Sequence, residues 1–387
     1  MKANPGGQLA PEDVIGRDEM IVQLWQALEQ QSVVLTAERR LGKTQLIKKI
    51  CATPLDGKLM RYRDLERIET LEDLAKLLID DFGSLIGFGT RAKTKSFELL
   101  QSLSGTKIDH IGTLPQLPGP QWPKVIHAVL QDLAALDQQI ILFWDEFPWM
   151  VQEIIKRDGA LAASDLLDLL RAIRQESNNL RFVITGSIGL RHVLDDLKDK
   201  AGYRNAAFND MHLMEVPPLS EAHATQLAEK LLNGEGFLSA EDKDSAGAIA
   251  RAAGNVPYYI HQLVKSLVVR RVTATDANIQ TLVSEALTAA NDPWNLKYFY
   301  DRIEDYYGAA STPIVRRLLD IFAVRDESIS IADAHALAQA NGLLSRDEVL
   351  EYLDKLTSDH YLTRELDGRY RFRYPLIARW WQLYRGL

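Results

Sequence analysis

Short apolar runs alternate with amphipathic helical stretches through the first half of the chain, and beyond Pro217-Pro218 the pattern turns to helices alone. Ser32–Thr36, Leu59–Tyr62, Ile140–Trp144, Leu180–Thr185 and Leu213–Val216 read as short strands. Ile140-Ile141-Leu142-Phe143-Trp144 is apolar at every position, which predicts a strand buried on both faces. Between the strands, helical spacing predicts helices over 19–30 (Met20, Ile21, Leu24 and Leu28 on one face), from near Gly42, over 71–82, 123–136 and 161–175. This alternation is that of a parallel sheet covered by helices. Residues 83–122 break the rhythm: Gly83, Gly87, Gly89, Gly105, Pro115, Pro118, Pro120 and Pro123 punctuate an insertion with room for one short helix near 97–103. Past residue 217 helices are predicted over 220–233, 239–253, 256–271 and 274–290. Residues 311–387 then read as helices Pro313–Phe322, Ile331–Gln339 and Ser345–Leu356, a hairpin at Asp367-Gly368, and a last helix carrying Trp380, Trp381 and Tyr384. Three helices and a hairpin predict a winged helix-turn-helix.

The 387 residues exceed one average domain, and at 46% hydrophobic and 25% charged they suffice for a sizeable core. A net charge of −8 argues against coating nucleic acid through bulk charge, while leaving room for a local basic face. The single cysteine, Cys51, excludes an internal disulfide framework and reads as a core thiol. Residues 1–13 lack a secretory pattern, and no window reaches the roughly 18 consecutive apolar residues of a membrane span. A cytoplasmic chain with no membrane contact is expected. The eight histidines have no metal-ligand spacing.

Ala37-Glu38-Arg39-Arg40-Leu41-Gly42-Lys43-Thr44 lies between a predicted strand and a predicted helix. A phosphate loop needs inward N–H groups, a lysine for the β/γ-phosphates and a hydroxyl for Mg²⁺; Gly42, Lys43 and Thr44 supply a close-approach glycine, the cation and the hydroxyl. Ala37 stands where such loops usually have their first glycine. Glu38 would repel a phosphate if it faced inward; it is expected to point outward, with Arg39 and Arg40 balancing the local field. The strongest strand ends in Asp145-Glu146: Asp145 suits Mg²⁺ and Glu146 suits orienting and polarising a water. The alternative for such an acid is a helix cap. Thr185-Gly186-Ser187 ends the following strand; a serine-nucleophile elbow fails there, because Thr185 occupies the place of the first glycine.

These residues resemble the archaeal-type ATPases of the STAND/AAA+ P-loop superfamily, relatives of the origin-recognition ATPases. The likeness rests on Ile15-Gly16-Arg17-Asp18-Glu19, Arg39 to Thr44, Phe143 to Phe147, Thr185-Gly186-Ser187, Ala253 to Tyr259 and Tyr370 to Pro375, in the expected order along nearly the whole chain. The resemblance implies an α/β P-loop core over 1–216, an all-α lid over 217–295, and a linker helix with the winged helix over 296–387. It implies ATP and Mg²⁺ as cofactors, with Ile15 and Arg17 passing the adenine, and Arg40, Leu41, Gly42, Lys43, Thr44 and Gln45 on the phosphates. Thr44 and Asp145 would hold Mg²⁺, Glu146 would serve the water, and Ser187 would be sensor 1. Pro257 marks the turn where the lid closes, though Gly254 to Pro257 also reads as a helix end and a new first turn. Arg191 and Arg204 both suit an arginine finger or a surface ion pair, and Arg204 is carried as the catalytic candidate.

The function implied is an ATP-hydrolysing switch, slow without its partner, coupling nucleotide state to a protein partner in signalling or defence. The alternatives are a DNA-binding ATPase gripping duplex through Arg364, Arg369, Arg371 and Arg373, and a nucleotide-binding scaffold with little turnover. Homo-oligomers suit the class. The acidic third helix (Asp347, Glu348, Glu351, Asp354) speaks against DNA contact through that helix.

Overall fold

The computed structural model describes residues 1–53, 55, 57–86, 94–104, 121–186, 189–237, 242–340 and 345–387. They form two compact units: Arg17–Thr36 with Lys43–Val216, and Met1–Gly16 with Ala37–Gly42 and Pro217–Leu387.

The first unit contains α1 (Asp18–Gln30), β1 (Val33–Thr36), α2 (Lys43–Ala52), β2 (Lys58–Asp64), α3 (Leu71–Ile86), α4 (Lys95–Ser104), α5 (Trp122–Ala134), β3 (Gln139–Asp145), α6 (Phe147–Arg157), α7 (Ala160–Glu176), β4 (Leu180–Thr185), α8 (Leu190–Ala201) and β5 (His212–Glu215). Among the described residues the strands make one parallel sheet in the order β2-β3-β4-β1-β5. Ile140 to Trp144 are wholly buried, as continuous apolarity requires of a strand covered on both faces. Around them Leu74, Leu78, Val125, Val129, Leu166 and Leu170 bring the apolar stripes of α3, α5 and α7 into one core. Because every strand runs the same way, the carboxyl ends of β1, β3 and β4 share one edge. In such sheets that edge is where ligands bind.

Several boundaries differ from the sequence reading. The helix predicted to stop at Phe82 runs through Gly83 to Ile86, and the short helix of the insertion spans Lys95–Ser104. The rest of that insertion, 87–93 and 105–120, lies outside the described residues. Two helices went unread. In α6, Pro148 occupies the first turn and Phe147, Met150, Val151 and Ile154 are buried at helical spacing. In α8, Leu197 and Val193 are buried and Gly202 closes the helix at φ 65°. Cys51 is half-buried in α2, and burial pushes its thiol up to about 11, which keeps it unreactive near neutrality.

The second unit continues with α9 (Glu221–Gly234), α10 (Asp242–Ala252), α11 (Pro257–Arg270), α12 (Asp276–Thr288), α13 (Tyr298–Ala323), α14 (Ile331–Ala340), α15 (Arg346–Ser358), the antiparallel pair β6 (Leu362–Arg364) and β7 (Tyr370–Phe372), and α16 (Pro375–Arg385). The caps are written in the sequence: Ser220 accepts from His223 N, Thr275 from Asn278 N, and Ser345 and Glu348 form a reciprocal capping box. Asp367-Gly368 turns the hairpin with Gly368 at φ 82°. The predicted helix Pro313–Phe322 is the later part of a longer one that starts at Tyr298 and breaks at Gly308 (φ 71°, ψ 163°). Trp380 and Trp381 are buried; Trp381 packs near Phe372 of the hairpin and donates its indole N–H to Asp320 at 2.8 Å. The tryptophan pair is therefore packing. Among the described residues no helix is long and apolar enough to cross a membrane.

Candidate functional site

In the first unit, parallel pairing places Asp145, the last residue of β3, beside Asp64, the last of β2, with Tyr62 two positions earlier opposite Phe143. Helix α2 begins at Lys43, which is 8% exposed. Thr44, its second residue, donates its hydroxyl to Asp145 Oδ2 at 2.7 Å, and Tyr62 Oη donates to the same oxygen at 3.3 Å. Asp145 itself is 4% exposed, and its Oδ1 accepts the Glu146 N–H at 3.2 Å. Burial first, then the Asp145 and Asp64 charges, push the Tyr62 phenol up, so it stays a proton donor to the carboxylate. Glu146 sits at φ 56°, ψ 30° as the N-cap residue of α6, and its side chain caps nothing. A non-glycine in that conformation is held there by its surroundings.

This donor set suits a hard divalent cation: one hydroxyl and one carboxylate oxygen already within 2.7 Å, beside a lysine at a helix N-terminus. Thr44, Lys43 and Asp145 thus fit Mg²⁺ and a phosphate group. The sequence reading had no role for Tyr62. Its signal was register: two residues before the end of a strand that pairs with the carboxylate strand.

The remaining candidates of this unit are Arg17, Gln45, Arg191, Arg204 and Ser187. Arg17 is buried at the start of α1, and burial lowers its guanidinium to about 10. Gln45 follows Thr44 in α2 and is half-buried. Arg191 pairs with Asp195 one turn along α8 at 2.9 Å. Arg204 is exposed in the loop after α8, and among the described residues it makes no hydrogen bond or ion pair. Ser187 lies outside the described residues.

In the second unit, Ile15 is half-buried, and Gly16 (φ 69°) passes so close to α9 that a Cβ there would meet the His223 side chain at 2.6 Å. Only glycine fits that approach. Leu41 is buried, Arg40 and Gly42 both have positive φ (75° and 88°), and open space lies where a Gly42 Cβ would be. Pro257 opens α11 after Gly254 (φ 60°) and Asn255 (φ 57°) turn the chain out of α10, so the cap-and-restart reading of this segment holds.

The charge balance of the loop differs from expectation. Glu38 is balanced by Arg302 of α13, in a bidentate pair at 2.8 and 2.9 Å, and not by Arg39 and Arg40. Those two arginines lie over the rings of Tyr298 (4.7 Å) and Tyr258 (4.0 Å), and Arg40 also donates to Trp294 O. The physical reason is burial. Glu38 is 3% exposed, and a carboxylate out of water needs a partner that is equally desolvated and fork-shaped.

No protein-family model matches the sequence, and no curated protein does. Among solved structures, the chain is similar to a Walker-type ATPase of Pyrococcus abyssi, at 15% identity over 96% of this chain and 97% of that one, with a TM-score of 0.65. The Aeropyrum pernix ORC2 protein in its ADPNP–ADP complexes matches at 14% identity over 99% and 96%, with a TM-score of 0.49. The Aeropyrum pernix ORC1 protein in complex with DNA matches at 15% over 97% and 95%, with a TM-score of 0.38. Scores below 0.5 do not establish a common fold over the whole chain, whereas the first does. The chain has the α/β fold of a Walker-type ATPase.

Proposed function

We propose that this chain is a Mg²⁺-dependent ATPase that works as a nucleotide-driven switch. The observation that carries the reading is the 2.7 Å contact between Thr44, one residue into a helix that opens on Lys43, and Asp145 at the tip of the most buried strand. Lys43 would neutralise the β/γ-phosphates, and Thr44 and Asp145 would hold the ion. When bound, that ion offsets the negative charge of the phosphate oxygens. Glu146 orients the attacking water and accepts its proton on the carboxylate. Tyr62 keeps Asp145 in place by donating to Oδ2. Ile15 and Arg17 at the adenine, Arg40, Leu41, Gly42 and Gln45 along the phosphates, Ser187 as sensor 1 and Pro257 at the lid turn complete the reading as roles taken from the resemblance. Arg204, exposed and without an ion pair among the described residues, suits a finger offered to a second copy of the chain.

The test is calorimetric titration of ATP with Mg²⁺ into wild type and Lys43→Ala. Binding by the wild type, weakened at least tenfold in the variant (about 1.4 kcal/mol), supports the site. Equal binding by both proteins removes it.

A second reading concerns what the switch acts on. A DNA-binding ATPase has a specific surface behind it: Arg364, Arg369 and Arg371 are exposed on the β6–β7 hairpin, which with α13, α14 and α15 is proposed as the winged helix. Glu365 and Asp367 pair with Arg371 (2.7 Å) and Arg369 (3.7 Å), so the hairpin's own acids temper that field. Among the described residues no comparable feature designates a signalling or defence partner, and duplex DNA is the output favoured here.

A further inference from the structure

Three consecutive side chains bind the loop segment Ala37–Gly42 into its own unit: Glu38 to Arg302, Arg39 over Tyr298, and Arg40 over Tyr258. The first of these is the most elaborate. Arg302 is 4% exposed and every arm of its guanidinium is used. Nη1 and Nη2 reach the two Glu38 oxygens at 2.8 and 2.9 Å, Nη2 also donates to Asp359 O at 2.9 Å, and Nε donates to Tyr361 Oη at 2.8 Å. The Tyr361 and Phe299 rings stand 4.4 and 4.8 Å from its central carbon. Tyr361 is fixed in turn by donating to Phe299 O at 2.6 Å, and Tyr307 donates to the Asp359 carboxylate at 2.5 Å. On the acid, Glu38 Oε1 also accepts the Arg39 N–H at 2.7 Å. Burial alone would raise the Glu38 carboxyl; the Arg302 charge and hydrogen bonds outweigh it and hold the acid below its ordinary range.

An acid in this loop is a liability for the chemistry proposed above. Glu38 precedes Gly42-Lys43-Thr44 by four residues, and a phosphate loop that carries a loose carboxylate repels its own ligand. A buried carboxylate that loses its partner either takes up a proton or leaves the interior. We propose that Arg302 is a positioning residue for nucleotide binding: by pairing with Glu38 inside the second unit, it withdraws the loop's negative charge so that the segment leading to Lys43 can accept a triphosphate. The pairing also makes the start of α13 sensitive to the state of the loop, because moving Glu38 breaks the network that fixes Arg302, Tyr361 and Asp359 together. The proposal rests on the ATPase reading.

The test is calorimetry with ATP and Mg²⁺ on four full-length proteins: wild type, Arg302→Met, Arg302→Lys and the double variant Glu38→Gln/Arg302→Met. Arg302→Met should raise the ATP dissociation constant tenfold or more. Arg302→Lys, which keeps the charge and loses the fork, should raise it threefold or more, and it answers the question if the methionine variant does not fold. The double variant should recover to within threefold of wild type, although it lacks both partners. A purely structural pair lowers the apparent affinity only as far as it unfolds the protein, so the loss must appear in a single variant whose folded fraction, read by circular dichroism at the titration temperature, matches wild type. Single variants within twofold of wild type, or a double variant no tighter than Arg302→Met, overturn the proposal and leave the ATPase reading intact. A wild type that binds no ATP overturns both.

Discussion

Asp145 receives two hydroxyl donors on one oxygen and a backbone N–H on the other, so its carboxylate is fixed before any ligand arrives. Fixing the acid in advance would lower the cost of ordering it for the proposed ion. A second buried titratable group has a different consequence. His261 is 3% exposed on α11; its Nδ1 accepts the Asn4 N–H at 3.1 Å and its Nε2 has no hydrogen-bond partner among the described residues. Burial lowers its imidazole from 6.5 to about 4, with Asp13 opposing. Between those values the unfolded chain binds a proton that the folded chain excludes, so stability is full above about pH 6.5 and falls as pH drops towards 4. The loss should approach about 3 kcal/mol for this group. Denaturant midpoints at pH 7 and pH 4.5 should show a smaller difference in His261→Gln than in wild type; equal differences would contradict the assignment. At this scale the sequence made Lys43, Thr44, Asp145 and Glu146 legible as candidates, because each lies in a short motif at the end of a recognisable element. Tyr62 and Arg302 were hidden. Their roles depend on strand register and on a contact more than 260 positions away in sequence (|i−j| of 264 for Arg302 and Glu38).

The elements followed their apolar periodicity wherever burial was one-sided or complete. Strand β4 spans Leu180–Thr185 as read, and β3 adds one residue at each end of its apolar run. Helices went unread where a motif drew attention to their first residues: α6 starts directly after Asp145-Glu146, and α8 follows Ser187 closely. Backbone breaks were equally hard to see. Gly308 interrupts α13 at φ 71°, ψ 163°, a region that essentially only glycine occupies, and nothing lies within 4 Å of where its Cβ would stand. The cost of a side chain there is therefore torsional and not steric. Gly308→Ala should destabilise the fold by about 1–3 kcal/mol, read as a lower urea midpoint at unchanged slope. An unchanged midpoint would mean that α13 straightens without penalty.

For the whole molecule, the parallel sheet, the helical segment and the terminal helices with their hairpin were all legible in chain order. The grouping was not. Residues 37–42 sit with the C-terminal segments while the strand before them and the helix after them sit with the sheet, a division that does not follow chain order. The output of the proposed switch belongs to this scale too. If the hairpin arginines meet phosphates, duplex retardation should weaken as salt rises, and Arg369→Ala/Arg371→Ala should lower the slope of log affinity against log salt by about 2. Absence of retardation at low salt would return the output to a protein partner.

The central claim is that one site at Lys43, Thr44, Asp145 and Glu146 both binds and hydrolyses ATP. Phosphate release measured alongside ATP binding in Glu146→Gln tests it most directly. The site described here predicts that ATP with Mg²⁺ stays bound while phosphate release stops. Release at the wild-type rate from that variant would place the chemistry elsewhere.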